Sequence, residues 1–176
     1  MSADLHVCFT GHRESKLPQG AMRKVIESML YLEIQSAIAD GATVFYTGMA
    51  DGVDLDAAEL VLEQKITHPM LRLIAVLPFP KNQLTDVASD CRYQRILQAA
   101  DEVVTLCPAY RRGCYEMRNQ YMVDHSERVI AVCREMRSGT GQTIRMAKQK
   151  GIEVRVIEID KVEKMLTPSQ SDDICN

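Results

Sequence analysis

No apolar run in this 176-residue chain reaches the roughly 20 residues that span a bilayer. The stretch from Met1 to His6 lacks both the basic n-region and the long apolar core of a secretory signal. A soluble, cytoplasmic protein with no membrane partner is therefore expected. Basic residues are not in excess either, 21 against 24 acidic ones for a formal net charge of −3, so no global positive field draws the chain to nucleic acid. Close cysteine pairs are missing. The six cysteines, Cys8, Cys91, Cys107, Cys114, Cys133 and Cys175, are scattered, which argues against a zinc site or a redox CxxC motif. Cys8, Cys107 and Cys133 lie in or beside apolar runs and are expected to pack as small hydrophobes. There is no internal repeat or low-complexity segment. Asp124 and His125 resemble part of a relay, but no suitable serine or cysteine nucleophile accompanies them, which argues against a hydrolase triad.

What the chain does have is 46% hydrophobic residues, enough to bury a full core in one domain over residues 1–166. The polar tail at 167–176 is expected to be disordered. β-Branched apolar runs predict strands at Leu5 to Phe9, Thr43 to Tyr46, Leu71 to Leu77, Glu102 to Leu106, Arg128 to Cys133 and Glu153 to Ile157. Helical spacing predicts helices over Gly20 to Ala39, Asp54 to Gln64, Cys114 to Ser126 and Thr140 to Lys150, with stop signals at Asp40-Gly41 and Gly151. Regular alternation of strand and helix implies an α/β fold, a Rossmann-like three-layer domain with a mostly parallel sheet of about six strands.

In such sheets ligands sit beyond the carboxyl ends of the strands, and residues of special type gather there. Thr10-Gly11-His12-Arg13 follows the first strand, where Gly11 permits a tight turn and Arg13 can form a bidentate contact with phosphate or carboxylate. His12 can donate to the same anion, stack on a base, or remain neutral and solvated. Tyr46 to Asp54 joins the second strand to a helix. Gly48 and Gly52 allow close approach of a ligand and the helix start attracts an anion, whereas the Asp54 carboxylate repels phosphate and accepts from ribose hydroxyls or base N–H groups. The third strand ends rigidly in Pro78-Phe79-Pro80. Phe79, like Tyr93 and Tyr110, either faces a base or fills the core. Ser138-Gly139-Thr140-Gly141-Gln142-Thr143 opens the last long helix with more hydroxyls and glycines than capping requires, which favours an anion cradle.

The remaining candidates admit bland alternatives. Met22, Met29, Met117 and Met122 are expected to be packing residues. Arg111, Arg112 and Arg118 form the densest basic cluster, otherwise a solvated loop. The helix from Cys114 to Ser126 carries Glu116 and Asn119 at i, i+3 spacing and is either a functional face or a surface helix with salt bridges. Asp51, Asp54 and Asp56 either hold magnesium through phosphate and water or simply favour a helix start. No metal site or cofactor is assigned from them.

Together, Phe9-Thr10-Gly11-His12-Arg13, Thr47-Gly48-Met49-Ala50-Asp51-Gly52-Val53-Asp54, Leu77-Pro78-Phe79 and Arg118-Asn119-Gln120-Tyr121-Met122-Val123-Asp124 resemble the SLOG superfamily, in its YpsA/YspA-like single-domain branch. The resemblance covers roughly Leu5 to Ile157 and implies a Rossmann-like protein that senses or processes a nucleotide-derived small molecule. Ligand-binding roles are expected for Gly11, His12, Arg13, Gly48, Gly52, Asp54, Pro78, Arg118, Asn119, Ser138, Gly139, Thr140, Gly141 and Thr143. Similarity to the lonely-guy phosphoribohydrolases implies a nucleotide N-glycosidic hydrolase as an alternative, with Arg118, Asp54 and Glu116 as catalytic candidates. The glutamate those enzymes carry after their loop is missing, since Ile144, Arg145, Met146 and Ala147 stand in its place. Similarity to the DprA proteins implies an adaptor in nucleic-acid processing as a further alternative. Asp51 stands where they typically carry a basic residue, which makes DNA a less favoured partner. A homodimer is also plausible from the resemblance.

Overall fold

The computed structural model describes residues 4–80 and 91–166. Six strands, β1 (Leu5–Gly11), β2 (Ala42–Thr47), β3 (Arg72–Leu77), β4 (Glu102–Thr105), β5 (Arg128–Cys133) and β6 (Glu153–Glu158), form one parallel sheet in the order β4-β3-β2-β1-β5-β6. Among the described residues, six helices surround it: α1 (Ala21–Ala39), α2 (Val53–Gln64), α3 (Cys91–Ala99), α4 (Cys114–Asp124), α5 (Gly139–Gln149) and α6 (Ile159–Leu166).

Strand periodicity divides the core into two layers. On β1, Val7 and Phe9 face one hydrophobic cluster while Cys8 faces another, as alternate side chains of a pleated strand must. The first cluster takes Ile26, Leu30 and Ile34 from α1, Ala57, Ala58 and Val61 from α2, Tyr93 and Ile96 from α3, and Ile159 and Val162 from α6. Phe9 stacks on Phe45 there at 5.8 Å. The second cluster receives Met122 and Val123 from α4 and Ile144 and Ala147 from α5. With apolar helices on both faces, the inner strands read as continuous hydrophobic runs; β5 is buried along its whole length.

The chain winds outward from β1 through β2 and β3 to β4, then crosses back to lay β5 on the other side of β1, with Thr10 opposite Ala131 and Gly11 opposite Val132. Strand order therefore reverses between β1 and β5. At such a point the two flanking loops run to opposite sides of the sheet and leave a crevice at its carboxyl edge.

Glycines set several of the junctions. Gly41 and Gly151, with φ of 100° and 73°, follow α1 and α5, positions that favour the left-handed conformation open to glycine. Gly11 is needed for a different reason: a Cβ there would overlap Val53 at the start of α2. The expected elements are thus present, along with three the sequence did not signal: a short 3-10 turn at Glu14–Lys16, α3 and α6. The expectation for the tail concerns residues outside the described ones.

Candidate functional site

The crevice between β1 and β5 holds a cavity of about 310 Å³. From β1 and its loop come Thr10, Gly11, His12, Arg13 and Lys16. Ala50 and Asp54 come from the β2–α2 loop and α2, Tyr115, Arg118, Asn119 and Met122 from α4, and Ser138, Gly139 and Thr140 from the start of α5.

Helix α4 reaches this cavity through its buried stripe. Cys114, Arg118 and Met122 recur at i, i+4 and i+8 and all are buried, so an arginine occupies a position that helical spacing reserves for the core. Its guanidinium lies over Gly48, where Nη1 donates to the Gly48 carbonyl and sits 3.9 Å from Asp54 Oδ2. Nε donates to Asn119 Oδ1 at 2.7 Å, which leaves the Asn119 amide NH2 group as a donor. Burial pulls the Arg118 guanidinium below its ordinary value, with Asp54 acting in the opposite direction. A Cβ on Gly48 would occupy the guanidinium's space and approach Asp54 Oδ2. Glycine is therefore required there for Arg118.

The β2–α2 loop closes on itself. The Thr47 hydroxyl donates to the Asp54 carbonyl at 2.9 Å and accepts from Met49 N–H at 3.2 Å, and Asp54 Oδ2 accepts from Ala50 N–H at 3.3 Å. Met49, fully buried, has φ of 55°, the left-handed region that side-chain-bearing residues rarely occupy. Gly52, with φ of 87°, lies so close to the β1 loop that a Cβ would sit 2.6 Å from the His12 carbonyl, which itself accepts from Val53 N–H.

His12, 4% exposed, uses Nε2 to accept from Arg134 N–H at 2.9 Å and, more weakly, from Glu135 N–H at 3.4 Å. Accepting at Nε2 requires the neutral ring protonated on Nδ1. Burial, with Lys16 and Arg134 nearby, lowers the His12 pKa. Arg13 remains at the rim, paired with Asp51 at 3.3 Å and lying over the Tyr115 ring at 5.9 Å.

At α5, Ser138 caps the helix by accepting from Gly141 N–H at 3.2 Å, while its hydroxyl donates to the Glu135 carbonyl at 2.5 Å. Thr143 is fully buried and donates to the Gly139 carbonyl at 3.1 Å. Gly139 and Thr140 line the cavity, and their N–H groups make no hydrogen bond among the described residues. A Cβ on Gly139 would meet nothing within 4 Å, whereas one on Gly141 would fall on the Met136 carbonyl.

Gly11, His12, Arg13, Asp54, Arg118, Asn119, Ser138, Gly139 and Thr140 thus meet at one cavity. Gly48, Gly52, Pro78, Gly141 and Thr143 lie outside its lining, and Glu116 is exposed on the outer side of α4. Phe79 fills a small cluster with Cys107 and Cys114, Tyr93 is buried in the first core layer, and Tyr110 is 63% exposed. Met22, Met29 and Met122 pack as expected, but Met117 is 40% exposed. Asp124 pairs with Lys150 at 2.5 Å, and His125 stacks on Tyr121 at 4.0 Å, so neither belongs to a relay at the cavity. The three acidic residues diverge: Asp51 faces Arg13, Asp54 faces Arg118, and Asp56 faces Arg23 and Arg92 at 2.5 and 2.6 Å. Among the described residues no group of three His, Cys, Asp or Glu side chains converges as metal ligands do, and no helix is long and apolar enough to cross a membrane.

Phe9, Thr10, Lys16, Ala50, Tyr115 and Met122 also line the cavity but are not among the residues expected to bind a ligand. Tyr115 and Met122 have a sequence signal, since they stand at i−3 and i+4 from Arg118 on one helix face. The YspA SLOG family profile matches residues 7–163, which span the whole cavity lining. The chain belongs to the YspA SLOG family. It is 30% identical to the uncharacterized SPbeta prophage-derived protein YoqJ of Bacillus subtilis over 60% of this chain and 69% of that protein. A UPF0398 protein of Halalkalibacterium halodurans is 32% identical over 61% of this chain, which spans 59% of that relative. A UPF0398 protein of Bacillus cereus is 28% identical over 72% of this chain and 71% of its own length. Among solved structures, DNA processing protein A from Helicobacter pylori, described for its single-stranded DNA binding mode, superposes with a TM-score of 0.62 at 19% identity, covering 93% of this chain and 74% of that one. That likeness shows the fold.

Proposed function

We propose that the cavity binds a nucleotide or nucleotide-derived small molecule. The observation that carries this reading is the pair of N–H groups on Gly139 and Thr140, without a partner among the described residues, on the first helical residues of α5 that line the cavity together with Arg13 and Lys16. Backbone donors at a helix N-terminus with cations nearby suit a phosphate. Asp54 and the Asn119 amide, on the α2 and α4 side, suit ribose hydroxyls or a base edge, and Tyr115 offers a ring face. A volume of about 310 Å³ is at the lower end of small-molecule sites, which run from about 300 to 1,000 Å³, and favours a mononucleotide over a dinucleotide.

Binding is preferred over turnover because Asp54 is the one carboxylate among the described lining residues and is already engaged by Ala50 N–H. Glycosidic hydrolysis would ask it to assist the leaving base as well. Single-stranded DNA, which the Helicobacter pylori protein is described as binding, is a second reading favoured by the shared fold; the net charge of −3 and the acidic Asp51 at the rim weigh against it.

Thermal stabilisation against mono-, di- and cyclic nucleotides, ADP-ribose and NAD tests the reading. A nucleotide-specific rise in Tm that Arg13→Ala and Gly139→Ala both remove supports it. No rise with any compound overturns it. Binding of a labelled oligonucleotide that mononucleotides fail to displace transfers the site to DNA.

A further inference from the structure

A second cavity, of about 270 Å³, lies beyond the first, where the carboxyl ends of β5 and β6 meet α5 and the start of α6. Its apolar walls are Cys133, Met136, Ile144 and Val156. It exists because β6 is an edge strand covered on this face by α5 alone. Val154 and Val156 remain half-buried there, whereas the equivalent residues of β5 are closed off. Apolar surface left partly open at the edge of a parallel sheet gains from being covered.

The charges around the opening select the cover. Arg134 is neutralised by Asp160 at 3.0 Å and by Glu163, and Glu158 pairs with Lys161 at 2.7 Å. Lys148 is exposed in the last turn of α5, and its side-chain ammonium makes no hydrogen bond or ion pair among the described residues. The lining therefore offers apolar walls and one cation without an anionic partner. We propose that this cavity is a second small-molecule site for a compact monocarboxylate with a branched aliphatic or aromatic body, its carboxylate at Lys148 and its body against Ile144, Met136 and Val156. The volume restricts the ligand to roughly amino-acid size. This site does not depend on what occupies the first cavity.

Phenylacetate is a suitable probe, titrated into the full chain while the methyl resonances of Ile144 and Val156 are followed by NMR. Saturable shifts at both residues are expected. Lys148→Met, a change at an exposed position, is expected to weaken binding about fivefold, and phenylacetamide, with the same shape and no charge, is expected to bind the native chain more weakly by a similar factor. No saturable shift at these methyls overturns the site. Equal affinities for native and Lys148→Met protein, or for the acid and the amide, overturn the carboxylate assignment.

Discussion

The loop before α2 and the start of α5 both place glycines between strand and helix at the same sheet edge, yet among the described residues they differ in how many of their N–H groups the protein itself takes. At the first, Asp54 takes the Ala50 N–H, Thr47 takes that of Met49, and the Arg118 guanidinium lies over Gly48. At the second, Ser138 satisfies Gly141 N–H while those of Gly139 and Thr140, both residues of the cavity lining, have no partner among the described residues. A glycine loop that holds a carboxylate and an arginine is part of the fold. One whose leading residues line a cavity beside Arg13 and Lys16 has the donors that the proposed phosphate would use.

The sharpest way to break this contrast is to remove Arg118. Removing the buried guanidinium deprives the Asp54 carboxylate of the cation at 3.9 Å and the Gly48 carbonyl of its donor, and Arg118→Ala is expected to cost about 3–5 kcal/mol by denaturant unfolding; a cost below about 1 kcal/mol would return Arg118 to the role of a ligand-facing cation. Gly48→Ala comes next. Its Cβ competes with the guanidinium, an overpacking expected to cost about 1–3 kcal/mol, and part of that loss should vanish in an Arg118→Ala background.

Ser138→Ala removes the cap of α5 and is expected to cost about 1 kcal/mol. His12 contributes a pH dependence of smaller size. Its pKa is lower in the folded protein than the ordinary 6.5, so the unfolded chain binds the proton first as pH falls. The contribution of neutral His12 is complete above that value and declines from about pH 6.5 downward toward the folded pKa. Tm measured across this range should fall less steeply in His12→Gln than in the native chain, and parallel profiles would contradict this. Gly139→Ala has the smallest expected effect on folding, within about 0.5 kcal/mol, since a Cβ there meets nothing. Its effect should be confined to ligand affinity, and an unaltered affinity would detach the phosphate from α5.

The strands were legible because the inner ones are buried on both faces, and Arg128 to Cys133 shows this as an unbroken buried run. Two helices escaped notice for local reasons. α3 buries only Tyr93 and Ile96 among polar neighbours, and α6 follows β6 with no intervening turn residue to mark its start. The sequence also signalled which loops meet at the site but not which donors were already taken. The partnership of Arg118 with Gly48 spans 70 positions, and no local pattern reveals that a glycine near residue 50 is small to admit a side chain from another helix. Thr143 likewise has the composition of a phosphate ligand, but helical geometry turns its hydroxyl onto the Gly139 carbonyl.

Because the surface of Gly48 is completed by the side chain of Arg118, the segment Thr47 to Asp54 is not a portable phosphate loop. Grafted alone into another Rossmann-like scaffold, it would arrive with a carboxylate lacking its cation and a hollow over the glycine. A functional transplant has to carry α4 in register with it, so the smallest exchangeable unit at this sheet edge comprises two segments separated by most of the sheet's connectivity.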